Sequence, residues 1–541
     1  MTSLSLPEDA RFHTLTAAVH AAAARGRDVH TAVGQFGLGA SVGGTVVGLS
    51  LVHGGYAPAV WGWTALLGFW ATLLGLLFRA DRRVDRAGLA LVAGVLAVAG
   101  WTALSLIWTQ SVPRTMLEVE RDLVYVAIAA AVLLLCTAGN RVQLVWGLGG
   151  GLVVVIAFAV GAYFASPHAP DATQGALLFR PIGYANALGG LAALALPLAV
   201  ALAVHDARRL VVVLAGSSAL VLLFALYLTQ NRSGYLAVGV ALVVWLSRTL
   251  APRVRSTWVV RSAPVAVVLV GFVLWRALAG LGDRAQYWRV AWRVVERHPL
   301  LGSGAGTFDE QWLRYRGSGV SVRDAHSLYL ETLSELGVVG LVLLVVLLAF
   351  PIVISRRARD PVTTACLASY CAFLVHAGFE WDWEIPVVIV SGLLLASALV
   401  CSGASTREVA LGSVARVAAA AAVVIAAAFA VVALIGNTDV VTAERLIAHG
   451  DVQGAAAHAN RARQLLPWAS EPWLVIADTR ARSFDEAGAR ASLRAAVARD
   501  GADWALWFRL AAASRGDERA VALRRAFALN PRLVTGVGPG S

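Results

Sequence analysis

The chain is built from long apolar runs, and this pattern constrains its fold more than any other feature. A helix crossing a bilayer needs about 20 mainly apolar residues, and roughly thirteen stretches meet that length. They are 31–53, 57–78, 87–108, 119–138, 142–165, 186–204, 210–229, 233–247, 258–279, 326–355, 361–379, 385–402 and 411–435. Only 14% of the 541 residues are charged and 58% are hydrophobic. Soluble domains carry about 25% charged residues, so a water-soluble enzyme is excluded. The expected fold is all-α, a polytopic membrane helical bundle of about 12–13 spans with a C-terminal helical-repeat domain. The first 30 residues lack the apolar core and cleavage site of a secretory signal, so no removable leader is expected. Cys136, Cys366, Cys371 and Cys401 all lie in apolar stretches and read as small packing residues rather than disulfide partners.

The formal net charge is +12, and every basic residue is Arg, so no single Arg is read as chosen over Lys. Alternate short loops hold Arg79, Arg82, Arg83 and Arg86, then Arg141, then Arg208 and Arg209, then Arg248, Arg253 and Arg255, then Arg356, Arg357 and Arg359, and finally Arg407. By the positive-inside rule these loops are cytoplasmic. Three segments follow: a cytoplasmic N-terminal segment 1–30, a membrane domain 31–437 with a large outer loop 280–325, and a tail 438–541 on the outer face. The expected location is a bacterial cell (inner) membrane. In the tail Trp473 and Trp507 stand 34 residues apart, with Gly-Asp pairs at Gly450-Asp451 and Gly516-Asp517. This period resembles tetratricopeptide repeats, of which about two and a half units fit, too few for a self-sufficient core. The tail is therefore expected to dock on the membrane domain or on a protein partner. A plain helical hairpin domain is the alternative.

Candidate chemistry collects in the outer loops. Arg232 sits in the tight turn Thr229-Gln-Asn-Arg-Ser-Gly-Tyr235 between two spans, where its guanidinium can grip a phosphate or simply reach lipid headgroups. Segment 282–299 reads as an amphipathic helix ended by Pro299. Tyr287, Trp288, Ala291 and Val295 share one face, and Arg289, Arg293 and Arg297 line the other as a solvated or headgroup-binding stripe. Arg284 lies on the aromatic face and needs a partner, either an anionic ligand or a carboxylate such as Asp283 or Asp324. Gly302, Gly304 and Gly306 lack the strand and Lys of a nucleotide loop, so they read as a flexible turn. His326 opens the tenth span. It can take a proton from a hydroxyl or act as a polar anchor. Glu331 and Glu335 on the same span are candidates to pair with outer-loop Arg, and Arg180 closes the first long outer loop. Glu380-Trp-Asp382-Trp-Glu384 puts three carboxylates on one short turn, an incomplete shell for Mg²⁺ or Ca²⁺, beside Trp residues that fit an interfacial belt. No metal site is expected.

Together these residues resemble the O-antigen ligase and O-antigen polymerase superfamily of multi-span glycosyltransferases. His326-Ser327 followed by Gly337 and Gly340 is similar to the ligase motif of His with Asn, Ser or Gln and spaced glycines. Arg232 with Leu236 fits an Arg-x-x-x-Leu element, and Arg284 to Phe308 resembles the start of the large loop. The resemblance covers roughly 170–400. It implies transfer of a glycan from an undecaprenyl-pyrophosphate carrier to an acceptor hydroxyl, without nucleotide, metal or other cofactor. Arg232 and Arg284 would clamp the pyrophosphate, with Arg180, Arg289 and Glu331 as further substrate-binding residues. His326 would serve as base for the acceptor. Implied partners are a lipid-linked glycan donor, a glycan or surface-polymer acceptor, membrane lipids and a protein bound by the tail, with no nucleic acid. The sequence after Gly340 continues Leu341-Val342 instead of small polar residues, and the tail is appended; both bear on the acceptor. A flippase for lipid-linked precursors and a non-catalytic envelope scaffold are the rival functions, the first expected to show inverted repeats and broken spans.

Overall fold

A computed structural model of the chain describes residues 37–78, 83–165, 171, 173–250, 282, 284–402 and 408–534. Among the described residues the fold is all-α apart from one short β pair and an isolated bridge between Asp171 and Gly175. Helices α1 (Gly37–Leu51), α2 (Pro58–Phe78), α3 (Arg86–Leu104), α4 (Val112–Leu135), α5 (Arg141–Ala165), α6 (Ala185–His205), α7 (Arg209–Thr229) and α8 (Arg232–Leu250) coincide with the first eight apolar runs. After α9 (Arg284–Arg297) and α10 (Phe308–Tyr315) come α11 (Leu328–Ser355), α12 (Pro361–Ala377), α13 (Pro386–Cys401) and α14 (Ser413–Ala448). These last four match the remaining runs, except 258–279, which lies outside the described residues. Among the described residues, seven helices are long and apolar enough to span a membrane by length and composition. The protein is a multi-pass membrane protein.

The helix starts follow from local chemistry. Ser111 caps α4 ahead of Pro113, Asp360 caps α12 ahead of Pro361, and Ser327 caps α11 by accepting from the Leu330 amide. Helix α6, rich in Ala, Gly and Leu, is buried along nearly its whole length and packs against α5, α7, α8 and α12. Small side chains permit that close approach where no water drives association. At the Arg-rich end, strands β1 (Arg83–Asp85) and β2 (Glu408–Ala410) pair antiparallel. Cys136 and Cys401 meet there as free thiols, with sulfurs 3.4 Å apart.

The other end of the bundle carries α9, α10 and the loops around them. The glycine segment is a tight splice rather than the expected flexible turn. Helix α11 breaks at Gly337 (φ 68), and the freed carbonyls of Ser334 and Glu335 accept from the amides of Ser303 (3.1 Å) and Gly304 (2.8 Å). The Val338 amide returns a bond to Pro299 O at 2.9 Å. A Cβ on Gly337 would strike the Leu300 carbonyl. Glu335 completes the splice by accepting from the amides of Gly306 and Phe308, both at 2.8 Å.

Helix α14 runs unbroken through residue 437 into the tail. Beyond it α15 (Val452–Leu465), α16 (Glu471–Arg482), α17 (Glu486–Arg499), α18 (Trp504–Ala513) and α19 (Gly516–Leu529) stack in sequence order. The tail rests on the bundle. Ser111 donates to Asp500 (2.9 Å), Asn437 to Glu120 (2.7 Å) and Arg316 to Asn530 (3.1 Å). At that seam Glu310 is buried and neither carboxylate oxygen has a partner among the described residues. Burial, then the nearby negative charges of Asp500 and Asp309, push its pKa up to about 9, and burial pushes Asp500 up to about 6.

Two outcomes are expected. Gly337→Ala should destabilise the protein by about 1–3 kcal/mol from backbone strain alone, seen as a lower melting temperature in detergent. For the seam, a carboxyl whose folded pKa is raised binds its proton more tightly when folded. Its stabilisation is full below the ordinary carboxylate range and is lost as pH rises, through about 6 for Asp500 and about 9 for Glu310. Stability should therefore fall between pH 5 and 9, and Glu310→Gln should flatten the upper part of that slope in melting curves.

Candidate functional site

The turn joining α12 to α13 organises this end of the molecule. Its three carboxylates, Glu380, Asp382 and Glu384, are all buried, and each goes to a different partner. Alternate residues of a tight turn point apart, so one five-residue segment serves three directions. Glu384 takes both terminal nitrogens of Arg121 from α4, and Arg121 also bonds Glu118. Asp382 lies 2.8 Å from His376 Nε2 on α12. Glu380 accepts from Arg284, from Ser233 (2.9 Å), from Tyr184 (3.1 Å) and from Asn186 (3.0 Å).

These contacts form one chain of polar groups. His376 Nδ1 lies 3.2 Å from Ser233 Oγ, so Asp382, His376, Ser233, Glu380 and Arg284 are linked in order. Helix α6 makes room for it: a Cβ on Gly190 would occupy the place of the His376 ring. Connection of this kind favours a single geometry, although Asp382 Oδ1 is buried without a hydrogen-bond partner among the described residues.

The predicted residues fall into two sets. Arg284 and His326 come together. The partner of Arg284 is Glu380; Asp324 is not bonded to it, and Asp283 lies outside the described residues. His326 precedes α11 with φ 56, its ring 5.0 Å from that of Tyr287, within the electrostatic reach of Glu380, Arg284 and Asp382. Its Nδ1 lies 3.0 Å from the Asp324 carbonyl and must donate to it, which leaves Nε2 as the lone-pair nitrogen. Burial lowers its pKa below the ordinary imidazole value, so it is neutral at pH 7. The aromatic face of α9 packs as expected, with Tyr287 on Trp312 and Trp288 near Phe379.

Arg232, Arg180 and Arg289 are exposed. Arg232 is the residue before Ser233, at the first position of α8, and Arg180 stacks over Phe179 at 5.6 Å. Glu331 differs from its expected placement. It is 3% exposed, and its carboxylate accepts from the Ala325 amide at 2.7 Å, so it braces the turn that presents His326 instead of meeting an outer-loop Arg. Glu335 likewise holds backbone amides. Glu331, Asp324 and Glu384 bring carboxylate oxygens within 4.8 Å of one another, the arrangement a metal ion would need. The cationic neighbours Arg121 and Arg323 already supply charge there.

Beside this network a cavity of about 140 Å³ opens between α3, α4, α11, α12 and α13. It is lined by Glu118, Arg121, Asp122 and Glu335, by the hydroxyl residues Thr102, Tyr125, Thr332 and Tyr370, and otherwise by apolar side chains.

Sequence reasoning missed Glu380 as the partner, and with it Ser233, His376, Tyr184, Asn186 and Arg121. A histidine and an arginine inside apolar runs were available signals, because ionisable residues at membrane depth need a reason to be there.

The class of molecule is thus defined: a polytopic helical membrane protein with a basic, histidine-containing site at one end of its bundle. Residues 217–345 match the family model described as O-antigen ligase, a segment that holds Arg232, Arg284, Arg289, His326 and Glu331. The resemblance to the O-antigen ligase superfamily holds over that segment. No curated protein matches the chain.

The Arg121 clamp can be tested by removing it. Arg121→Ala leaves Glu118 and Glu384 buried without a counter-charge, which should cost about 3–5 kcal/mol, whereas a combined Arg121→Met, Glu118→Met, Glu384→Met exchange, which removes all three charges, should cost far less. Melting in detergent reads both.

Proposed function

We propose that the protein transfers or polymerises a glycan from an undecaprenyl-pyrophosphate-linked donor onto an acceptor hydroxyl at the outer face of a bacterial cell membrane. The observation that carries this reading is the pairing of a fixed guanidinium, Arg284, with a neutral His326 whose Nε2 is free to accept a proton. Short loops at the opposite end carry the Arg clusters at 79–86, 208–209 and 356–359, whereas the Arg residues at this end lie mostly in the long 280–325 segment, and this bias of the short loops favours an outward orientation by the positive-inside rule. The matched family supports a lipid-linked donor.

In the reaction the bond from the sugar anomeric carbon to the carrier's pyrophosphate oxygen breaks, and a bond to the acceptor oxygen forms. The acceptor's proton passes to His326 Nε2. The leaving pyrophosphate takes the electron pair and gains negative charge, which fixed guanidinium groups stabilise most in a water-poor setting. Arg284 is held for that task by Glu380, and Arg232 stands exposed next to the same network. Arg180 and Arg289, both exposed, are assigned to outlying phosphate or glycan groups. Glu331, Ser233 and His376 are positioning residues, acting through the His326 turn or through Glu380.

Reconstitution with lipid-linked glycan and acceptor tests the reading. Wild type should form product; His326→Ala should slow it by about 10²–10⁴-fold, the usual range for a lost acid–base group. Arg284→Ala and Arg232→Ala should also lose rate. Undiminished product in all three variants would overturn the site, and no product from wild type with any donor would favour transport or scaffolding.

A further inference from the structure

We propose that the cleft between the tail and the membrane bundle is a second glycan site, which holds a sugar unit apart from the Arg284–His326 centre. The proposal rests on the glycan-transfer reading and extends it to where the polymer is gripped. The cleft has a volume of about 420 Å³, within the range of small-ligand sites. It lies where the start of α2, the first turns of α4, the second half of α14 and the α15–α16 connection meet, at the same end of the bundle as His326.

Its chemistry is mixed in a particular way. Glu120 is 5% exposed; one oxygen accepts from Asn437, and the other, Oε1, has no partner among the described residues. A buried acceptor left empty costs free energy unless a ligand donates to it. Arg445 and Glu471 line the same cleft, and neither makes a hydrogen bond or ion pair with another described side chain. Free donors and free acceptors thus face one space. A lipid phosphate is opposed by the Glu471 carboxylate, a simple cation is opposed by Arg445, and an acyl chain leaves Glu120 Oε1 empty. A neutral polyol suits all of them, because every hydroxyl both donates and accepts. Trp468, half-buried on the cleft wall, adds the flat apolar face that the C–H side of a pyranose ring covers. Helix α4 separates the two sites, turning Glu120 into the cleft and Arg121 toward Glu384.

The test uses the full-length protein immobilised in nanodiscs. The probe is the fluorescently labelled oligosaccharide pool released by mild acid from the lipid-linked and surface glycans of the producing cells. Wild type should retain the probe. Trp468→Ala and Glu471→Gln should each cut retention about ten-fold, the worth of one or two hydrogen bonds or a lost stacking face. Glu471→Gln is a near-isosteric change that guards against a folding defect in the first. Arg284→Ala should abolish transfer yet keep retention. No retention by wild type, retention unchanged in both cleft variants, or a co-purified phospholipid lost only from those variants would each overturn the proposal. Retention without transfer by wild type would leave the cleft standing and remove the transfer reading, so the two failures are distinct.

Discussion

The guanidinium of Arg121 is the constraint on which the site end of this protein depends. It is almost wholly buried, it binds Glu118 and Glu384, and the rings of Trp61 and Trp383 lie 5.8 and 5.7 Å away. A buried guanidinium without its carboxylates carries a penalty of several kcal/mol, so the turn bearing Glu384 is tied to α4. Glu380 begins that same turn. Its position, and through it those of Arg284, Ser233, Tyr184 and Asn186, follows from an ion pair that touches none of them.

A second constraint acts from the other side. The break at Gly337 exposes carbonyls in mid-helix, and the 299–308 segment satisfies them with its own amides. The loop after α9 is thereby stitched to α11 through backbone groups, which no side-chain substitution can replace. Glu331 and Glu335, one turn apart, finish the stitching on either side. His326 thus sits between two backbone anchors, which is how a non-glycine residue is kept at a positive φ.

The spans were legible in the sequence because lipid demands length and apolarity, and both can be counted. Arg284 and His326 were legible as chemistry because charge at a membrane edge is conspicuous. Their partners were not. Glu380, Asp382 and Glu384 have the spacing of an exposed acidic turn, and only packing reveals that each is buried against a different cation or hydroxyl. The glycines misled for a related reason: three of them in five residues signal freedom in isolation, yet here all have positive φ and lie against Glu335, Thr109 or Glu118. Helical periodicity in the tail was visible, whereas its seam with the bundle, made by Ser111, Asp500 and Arg316, depends on residues with no common sequence pattern.

Helix α14 has a geometric consequence. At 1.5 Å per residue its 36 residues extend about 54 Å, against a hydrocarbon core of about 30 Å. The surplus stands beyond the bilayer as a stiff mast. Because the tail is also bonded to the bundle at Ser111, Glu120 and Arg316, its height above the membrane and the direction in which its grooves point are set by the tilt of the bundle and this mast together. A thicker or thinner bilayer would lower or raise the whole tail as one piece, so membrane thickness becomes a mechanical input to whatever the tail holds.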